Sequence, residues 1–284
     1  MTKSVGQLLA PPVQTILEPG RAEKNYWRDL WRYRELFQVL AWRDVSVRYK
    51  QTAIGAIWAV LRPFLTMVIF TFIFARLAKL PSEGSAPYAL MVLAGMLPWT
   101  FFSSAFSDAS NSLVGNASLI DKVYFPRLII PTANIVVALV DFLVGFGILI
   151  AIMIWYQFSP RWQFLLLPIF VLLAFLASLG PGLWVTVLNV KYRDFRYVIP
   201  FILQLGIYVS PVGFSSQVVP ENWRLLYSLN PMVCIIDGFR WCILGGQTQI
   251  YWPEFTLGLS VITLFLLLGV RQFRKMEKTL ADLI

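Results

Sequence analysis

Long apolar segments, each close to the length needed to cross a lipid bilayer, constrain this chain more than any other feature. A transmembrane helix needs about 20 predominantly apolar residues, and the sequence offers six such stretches. Only 14% of the residues are charged, whereas soluble domains are about one quarter charged. We therefore predict an all-α integral membrane protein with six spans, near residues 54–78, 88–107, 125–155, 164–190, 197–214 and 255–271, forming one transmembrane domain over 54–271.

The distribution of Lys and Arg predicts the orientation of these spans. If the N-terminus is cytoplasmic, eighteen Lys and Arg residues lie on the cytoplasmic side and five on the outer side. Because cytoplasmic loops are enriched in positive charge, we expect both termini in the cytoplasm. The net charge of +9 is then a topology signal and not a nucleic-acid-binding surface. Residues 1–25 are predicted to be a flexible cytoplasmic leader and residues 272–284 a cytoplasmic tail.

Residues 26–50 have the pattern of an amphipathic helix that precedes the first span. At 100° per residue one face is apolar, the opposite face is charged, and three tryptophans lie on the flank. This combination is typical of a helix lying in the membrane–water interface. The apolar face holds Tyr26, Leu30, Tyr33, Phe37 and Leu40, the charged face holds Arg28, Arg32, Glu35 and Arg43, and the flank holds Trp27, Trp31 and Trp42.

The longest outer connection, residues 215–253, is broken by Pro and Gly and alternates between apolar and polar positions. We predict two short re-entrant helices here, between spans five and six. Such backbone is tolerated at membrane depth only where protein covers it or where it lines a wet cavity. Asp237 and Arg240 are three residues apart on a helix and are expected to pair with each other.

Few ionisable residues fall inside the predicted spans. Asp141, in the third span, is a candidate for a proton or ion relay, or for a structural hydrogen bond to a neighbouring helix or to a partner subunit. Arg62 could reach the cytoplasmic headgroups by snorkelling, or bind a lipid phosphate. Between spans two and three, Leu119 and Ile120 begin a short amphipathic face, which predicts either a cytoplasmic docking helix or a membrane-surface elbow.

Several classes of catalytic and binding site are excluded by what the sequence lacks. The chain has no His and no Gly-Lys dipeptide, which excludes Ser–His catalysis and a Walker-type phosphate-binding loop. Its two cysteines, Cys234 and Cys242, are too few for a metal cluster. We predict no catalytic residue, no metal site and no cofactor in this chain.

Four stretches carry a resemblance to a known family. They are Arg48-Tyr-Lys50 with Arg62-Pro63, the run from Leu119 to Pro131, the run from Leu188 to Asp194, and Asn230-Pro231 with Gly238-Phe-Arg240. In this order, and placed among six spans, they resemble the membrane permeases of type-2 ABC exporters. The branch that they are most similar to exports bacterial cell-surface polysaccharides such as O-antigen, capsule and teichoic acid.

The resemblance implies a homodimer with a channel at its interface, in the bacterial inner membrane. Two copies of a separate cytoplasmic ATPase, which binds ATP and Mg, would supply the energy. The cargo would be a lipid-linked polysaccharide that carries a polyprenyl diphosphate. The permease itself would not be an enzyme.

The resemblance also implies roles for particular residues. The first and fifth spans would line the channel with aromatic side chains, cationic residues would contact the lipid phosphate, a cytoplasmic segment would couple to the ATPase, and the outer segment would form a gate. The channel residues would be Phe70, Phe74, Tyr197, Phe201 and Tyr208, beside Met67; the phosphate contacts Arg48, Lys50 and Arg62; the coupling residues Leu119, Ile120, Asp121 and Lys122; and the gate residues Trp223, Asp237 and Arg240.

Two other functions are compatible with the same pattern. One is a type-2 ABC exporter of a drug or a simple lipid. The other is a membrane-embedded glycosyl- or phosphotransferase, which would need acidic residues clustered at a membrane rim. The acidic residues of this chain are scattered between segments, which favours the exporter.

Overall fold

The computed structural model describes residues 26–50, 53–120, 125–192, 194–246 and 248–277, with side chains from residue 60 onward in the second range. This described part of the chain is helical and contains no β-strand. The helices are α1 (Tyr26–Arg32), α2 (Arg34–Lys50), α3 (Ala53–Phe70), α4 (Tyr88–Gly115), α5 (Ala117–Ile120), α6 (Ile129–Trp155), α7 (Leu167–Lys191), α8 (Phe195–Val209), α9 (Glu221–Tyr227), α10 (Pro231–Ile243) and α11 (Trp252–Glu277). A π-helical stretch, Thr71–Leu77, continues α3, and a 3₁₀ turn, Trp162–Leu166, precedes α7.

Five helical segments in the described part are long and apolar enough to cross a membrane. They comprise α3 with its π-helical extension, α4, α6, α7 with its preceding turn, and α11, and each coincides with a predicted span. The predicted fifth span corresponds to α8, which has 15 residues. At 1.5 Å per residue α8 is about 22 Å long, shorter than a hydrocarbon core of about 30 Å.

The prediction that the fifth span reaches residue 214 is wrong, because α8 ends at Val209. Pro211 disfavours helical backbone at the residue before it, and Ser210 is extended, with φ −94° and ψ 151°. The carbonyl groups of Val212 and Phe214 are therefore outside any helix. Both accept hydrogen bonds from Arg240, described below.

The second span also differs from its prediction, since α4 continues from Ser107 to Gly115. The polar residues of this extension favour a connection when only the sequence is considered. In the structure Ser110 is buried, and its hydroxyl donates to the carbonyl oxygen of Phe106 one turn earlier. Asn189 of α7 donates to the carbonyl oxygen of Ser110 and to the side chain of Asn111, each at 3.0 Å. Hydrogen bonds to a neighbouring helix thus satisfy a polar helix end.

Helix α4 is the centre of the bundle. It packs against α3, α6, α7, α8 and α10, and 78% of its most apolar window is buried inside the protein, against 11% for α3 with its extension. The other helices therefore cover α4, and α3 is left largely exposed.

Helices α1 and α2 form the predicted amphipathic segment, but its apolar stripe, which an interfacial helix would turn toward the membrane, packs against the protein. Tyr26 and Leu40 are buried, and the residues between them on the same stripe pack against the core. The guanidinium of Arg274, near the end of α11, lies over the ring of Tyr26, with its Cζ atom 4.8 Å from the ring centroid. Helix α6 provides an apolar surface that the sequence pattern could not reveal. The exposed apolar residues of α1 and α2 include Trp27, Trp31, Val39, Trp42 and Val47.

Helices α7 and α11 pack closely where two glycines meet. A Cβ atom on Gly269 would lie 2.0 Å from the Gly180 carbonyl oxygen, and one on Gly180 would lie 2.7 Å from the Leu266 backbone nitrogen. Close approach of backbones at small residues is a usual basis of helix packing in membranes.

We predict that Gly269→Ala lowers the melting temperature of the purified protein. Overpacking costs about 1–3 kcal/mol, and each kcal/mol corresponds to roughly 2–4 °C in a protein of this size. Gly147→Ala is the matched control, because nothing lies within 4 Å of a Cβ at that position. Equal melting temperatures for the two variants would contradict the observed packing.

Candidate functional site

A cavity of about 370 Å³ lies between α3, α4, α6 and α8. The C-terminal end of α2 contributes Arg48 and Tyr49 to its wall, and α3 contributes Arg62, Pro63 and Thr66. Its volume is near the lower end of the range for ligand sites, roughly 300–1,000 Å³. The cavity therefore has the size of a binding site and the composition of a partly polar one.

Hydroxyl groups of α4 line one wall of this cavity. Thr100, Ser103 and Ser104 lie on the same side of the helix. Thr100 donates to the carbonyl oxygen of Leu97, and Ser103 donates to that of Thr100, so each keeps lone pairs available to a ligand. Polar side chains within a span are tolerated where they line a water-filled space.

Arg48 forms ion pairs with two carboxylates on different spans. Its Nη2 lies 2.9 Å from Oδ2 of Asp141 on α6, and its Nη1 lies 3.3 Å from Oδ2 of Asp108 on α4. The Tyr49 hydroxyl donates to Oδ1 of Asp141. Of the two alternatives for Asp141, the structure shows the contact with a neighbouring helix. The predicted phosphate contact Arg48 is thus already paired in this structure.

The other two predicted phosphate contacts have different surroundings. Arg62 is exposed and lines the cavity, and its side chain has no carboxylate partner among the described residues. Lys50 is exposed at the end of α2 and does not line the cavity. The structure therefore brings Arg48 and Arg62 together and leaves Lys50 outside.

The predicted channel aromatics fall into two groups. Tyr197, Phe201 and Tyr208 are 82%, 61% and 64% exposed, on the face of α8 that points away from its own protomer. Phe70 and Phe74 are half-buried, with their rings in an edge-to-face contact at 5.6 Å. Phe70 packs against the core and Phe74 against Gly213. Met67 beside them is buried, so this side of α3 faces the protomer itself.

Arg240 is fully buried and connects several parts of the protein at one end of the helical bundle. Its guanidinium donates to the carbonyl oxygens of Phe214 at 2.8 Å, Val212 at 3.1 Å and Met91 at 3.3 Å, and lies 3.2 Å from Glu83 Oε1. Thr248 donates to the other oxygen of Glu83. The Arg240 side chain thus joins α10 to α4 and to two connecting segments, and Glu83 extends the cluster to a third through Thr248.

The predicted pairing of Asp237 with Arg240 is wrong, because Arg240 pairs with Glu83. Asp237 is buried on α10, and its Oδ1 has no hydrogen-bond partner among the described residues. Burial raises the pKa of this carboxyl above its usual range, and the charge of Arg240 opposes that shift. Trp223, the third predicted gate residue, is 61% exposed on α9. The three residues therefore do not form one cluster.

The Asn230-Pro231 and Gly238-Phe-Arg240 stretches have clear local roles. The Asn230 side chain accepts from the Met232 backbone and caps α10, while Pro231 occupies its first turn. A Cβ on Gly238 would lie 1.9 Å from the Phe170 ring, so glycine allows α10 to approach α7. These residues set the depth at which Arg240 is buried.

The predicted coupling residues lie only partly within the described structure. Leu119 and Ile120 belong to α5, a single helical turn, and Ile120 is buried. Asp121 and Lys122 lie outside the described residues. Residues 111–115, which precede this turn, continue α4.

Sequence reasoning missed Glu83, Asp108 and Thr248 as partners in the two ion-pair clusters. Each belongs to a stretch with the composition of a connection, and none is near its partner in sequence. The sequence carried no signal for these contacts, because Arg48 and Arg240 lie outside the predicted spans and their partners are distant along the chain.

Comparison with known proteins agrees with this architecture. The family model described as ABC-2 type transporter matches residues 35–244, more than half of the chain. The chain belongs to the ABC-2 type transporter family. It is therefore a membrane permease subunit of a transporter, and the predicted resemblance is confirmed.

Named relatives match over most of this permease. The O-antigen export system permease protein RfbA of Klebsiella pneumoniae is 26% identical over 253 residues, covering 88% of this chain and 95% of the relative. RfbA of Myxococcus xanthus is 26% identical over 215 residues, covering 75% and 82%. The inner membrane transport permease YadH of Escherichia coli K12 is 27% identical over 195 residues, covering 64% and 74%.

We predict that Glu83→Gln destabilises the permease, because it leaves the buried Arg240 without a compensating charge. Removing one partner of a buried ion pair costs about 3–5 kcal/mol. Thermal unfolding of the purified protein measures the change, with Glu221→Gln, an exposed carboxylate on α9, as the matched control. The paired change Glu83→Leu with Arg240→Met should recover part of the loss. A Glu83→Gln variant as stable as the Glu221→Gln variant would rule out this role for the pair.

Proposed function

We propose that this permease moves a lipid-linked, O-antigen-like polysaccharide from the cytoplasmic side across the bacterial inner membrane. The observation that carries the proposal is the match to O-antigen export permeases over nearly their whole length, 95% of one relative. The path would be a channel at the interface of two copies of the chain.

The energy would come from a separate ATPase, present in two copies and binding ATP and Mg. Membership of an ABC transporter family supports this partner, and the chain has no Gly-Lys dipeptide with which to form its own phosphate-binding loop. The segment around α5 would dock on the ATPase with Leu119, Ile120, Asp121 and Lys122. It directly follows the polar extension of α4.

The proposed topology has six spans with both termini cytoplasmic. If α8 crosses with the five longer segments, the number of crossings is even and the termini lie on one side. The bias of Lys and Arg supports the cytoplasmic side. The exposed tryptophans of α1 and α2 would then lie in the headgroup region.

The proposed channel uses the exposed aromatic face of α8. Tyr197, Phe201 and Tyr208 project from the protomer, where a second copy could enclose a path. Aromatic rings stack on the apolar faces of sugars and leave the hydroxyl groups hydrated. Phe70 and Phe74 are half-buried and would contribute ring edges only.

The outer connection, residues 215–253, would form the gate of this channel. Trp223 is an exposed aromatic residue of this segment, and Arg240 anchors the segment by its bond to Glu83. Asp237 is buried on α10 and would support the gate segment from inside the protein, without contact with the polymer. The gate would limit leakage when no polymer occupies the channel.

A second candidate is a type-2 exporter of a drug or a simple lipid. The match to YadH covers 64% of the chain. Because the name of YadH specifies no cargo, this match supports the permease architecture and does not favour any particular cargo. The O-antigen relatives match a larger share of the chain, so we place the polysaccharide first.

Disruption of the gene in its source bacterium tests the proposed cargo. We expect surface polysaccharide to disappear and lipid-linked polymer to accumulate on the cytoplasmic face, both restored by the intact gene. Surface polysaccharide would be measured by immunoblotting and accumulated polymer by lipid extraction and mass spectrometry. Normal surface polysaccharide in the disrupted strain would contradict the proposal.

We predict that Tyr208→Ala slows polymer export, since it removes an exposed ring from the proposed path. Tyr208→Phe retains the ring and should export at the wild-type rate. The rate of appearance of surface polymer, normalised to the amount of permease in the membrane, checks both variants. Equal rates for Tyr208→Ala and wild type would remove Tyr208 from the channel lining.

A further inference from the structure

The connection between α4 and α6 is held at its start by a side chain of α2. Asn116 follows the last residue of α4, and its side-chain Nδ2 donates to the carbonyl oxygen of Ser112 at 2.9 Å. The side-chain oxygen of Asn116 accepts from Nη2 of Arg43 on α2 at 2.7 Å. The backbone carbonyl of Asn116 accepts from the amides of Leu119 and Ile120 in α5. This residue therefore fixes where α4 ends and α5 begins.

A second contact holds the other end of the connection against α11. The backbone N–H of Arg127 donates to Oε1 of Glu277 at 2.8 Å, and Nη1 of Arg127 donates to the backbone carbonyl oxygen of Glu277 at 2.7 Å. The two residues are 150 positions apart in the sequence. A carboxylate close to the start of α6 also meets the positive end of the helix dipole. Two bonds that use both backbone and side chain fix the position and the orientation of Arg127.

The contact with α11 is the firmer of the two. Phe273 and Met276 of α11 are buried, as are Phe125 and Leu128 of the connection. The Arg43 side chain is 45% exposed, and exposed polar contacts add little stability because water competes for them. The contact with α11 therefore does more than the contact with α2 to hold the connection in place.

The short helix in this connection depends on such external support. Helix α5 is a single turn, Ala117–Ile120, whereas isolated helices shorter than about 12 residues are marginal in water. Its arrangement therefore comes from the burial of Ile120 and from the contacts at the two ends of the connection. A segment that is already held in its bound arrangement loses less conformational freedom when a partner docks, so it binds that partner more tightly.

We propose that Glu277 is a positioning residue for docking of the ATPase. Through Arg127 it holds the connection that contains α5 in the arrangement that the ATPase binds, without itself touching the ATPase. The end of α11 is thereby part of the docking apparatus. This role rests on the proposed function, which supplies the partner.

Binding of the ATPase to the full-length permease in lipid nanodiscs tests this role. The ATPase is the one that copurifies with the wild-type permease, prepared separately, and biolayer interferometry gives its Kd and the maximal binding per permease. Glu277→Leu removes the acceptor of the Arg127 N–H, and we expect Kd to rise about tenfold, the equivalent of one hydrogen bond. Glu277→Gln keeps a carbonyl oxygen as acceptor and should retain the wild-type Kd. Glu221→Leu, at an exposed carboxylate of α9, is the matched control and should also leave Kd unchanged.

Maximal binding separates positioning from folding. A merely structural role would lower the amount of permease that can bind, and therefore the maximal binding, without changing Kd. A raised Kd in Glu277→Leu, at unchanged maximal binding and with the wild-type Kd in Glu277→Gln, supports the positioning role. An unchanged Kd in Glu277→Leu, or the same Kd in the Leu and Gln variants, overturns it. If Glu277→Leu does not fold, Arg127→Met decides: it removes the Nη1 bond, so a raised Kd supports the role and an unchanged Kd contradicts it.

Failure of the positioning role is distinguishable from failure of the exporter function. If no ATPase binds the wild-type permease, ATP-driven export is rejected and the positioning role with it. If the ATPase binds the wild type and Glu277→Leu equally, only the positioning role is rejected.

Discussion

An arginine inside a membrane protein must find an oppositely charged or polar partner, and this requirement organises the bundle. At one end of the bundle, buried Arg240 binds Glu83 and three backbone carbonyl groups. In the other half, Arg48 binds Asp141 and Asp108. The first cluster fixes α10 and the outer connections against α4, and the second fixes the N-terminal helices against α4 and α6. Apolar packing supplies the bulk of the contacts, and these pairs add polar contacts between the same helices and connections.

Helix α4 takes part in both clusters, through the Met91 carbonyl and the Asp108 carboxylate. It is also the most buried of the five long segments. A displacement of α2 would therefore reach α4 through Arg48, and α4 contacts the outer segment through Arg240. Under the proposed function this chain of contacts offers a physical route from the cytoplasmic side to the gate. The exposed aromatic face of α8 lies beside it and is free to meet a second copy.

Much of the architecture could be predicted from residue patterns, because apolar length determines which segments can span a bilayer. The ends of the spans were less predictable. Ser110 and Asn111 have the polarity of a connection, but bonds from Asn189 on α7 allow the helix to continue. The stripe through Tyr26 and Leu40 is suited to lipid by its pattern, yet it packs against protein. Periodicity identifies an apolar face and does not identify what covers it.

The candidate site shows the same limit. Arg48 and Arg62 were recognisable as cationic residues near the start of the first span, but the partners of Arg48 depend on which faces of α4 and α6 turn toward α2. Arg240 was expected to pair with its neighbour Asp237, and it pairs instead with Glu83, distant in sequence. Spacing along a helix predicts ion pairs between residues that are close in sequence. Tertiary packing can bring a carboxylate that is distant in sequence, such as Glu83, closer to the arginine than its helical neighbour.

Purification of the permease from native membranes in a mild detergent, followed by identification of its partners and an ATPase assay, tests the central claim most directly. The account predicts a stoichiometric P-loop ATPase that copurifies and hydrolyses ATP. A pure permease with no ATPase, under conditions in which other ABC complexes from the same membranes remain intact, would contradict ATP-driven export.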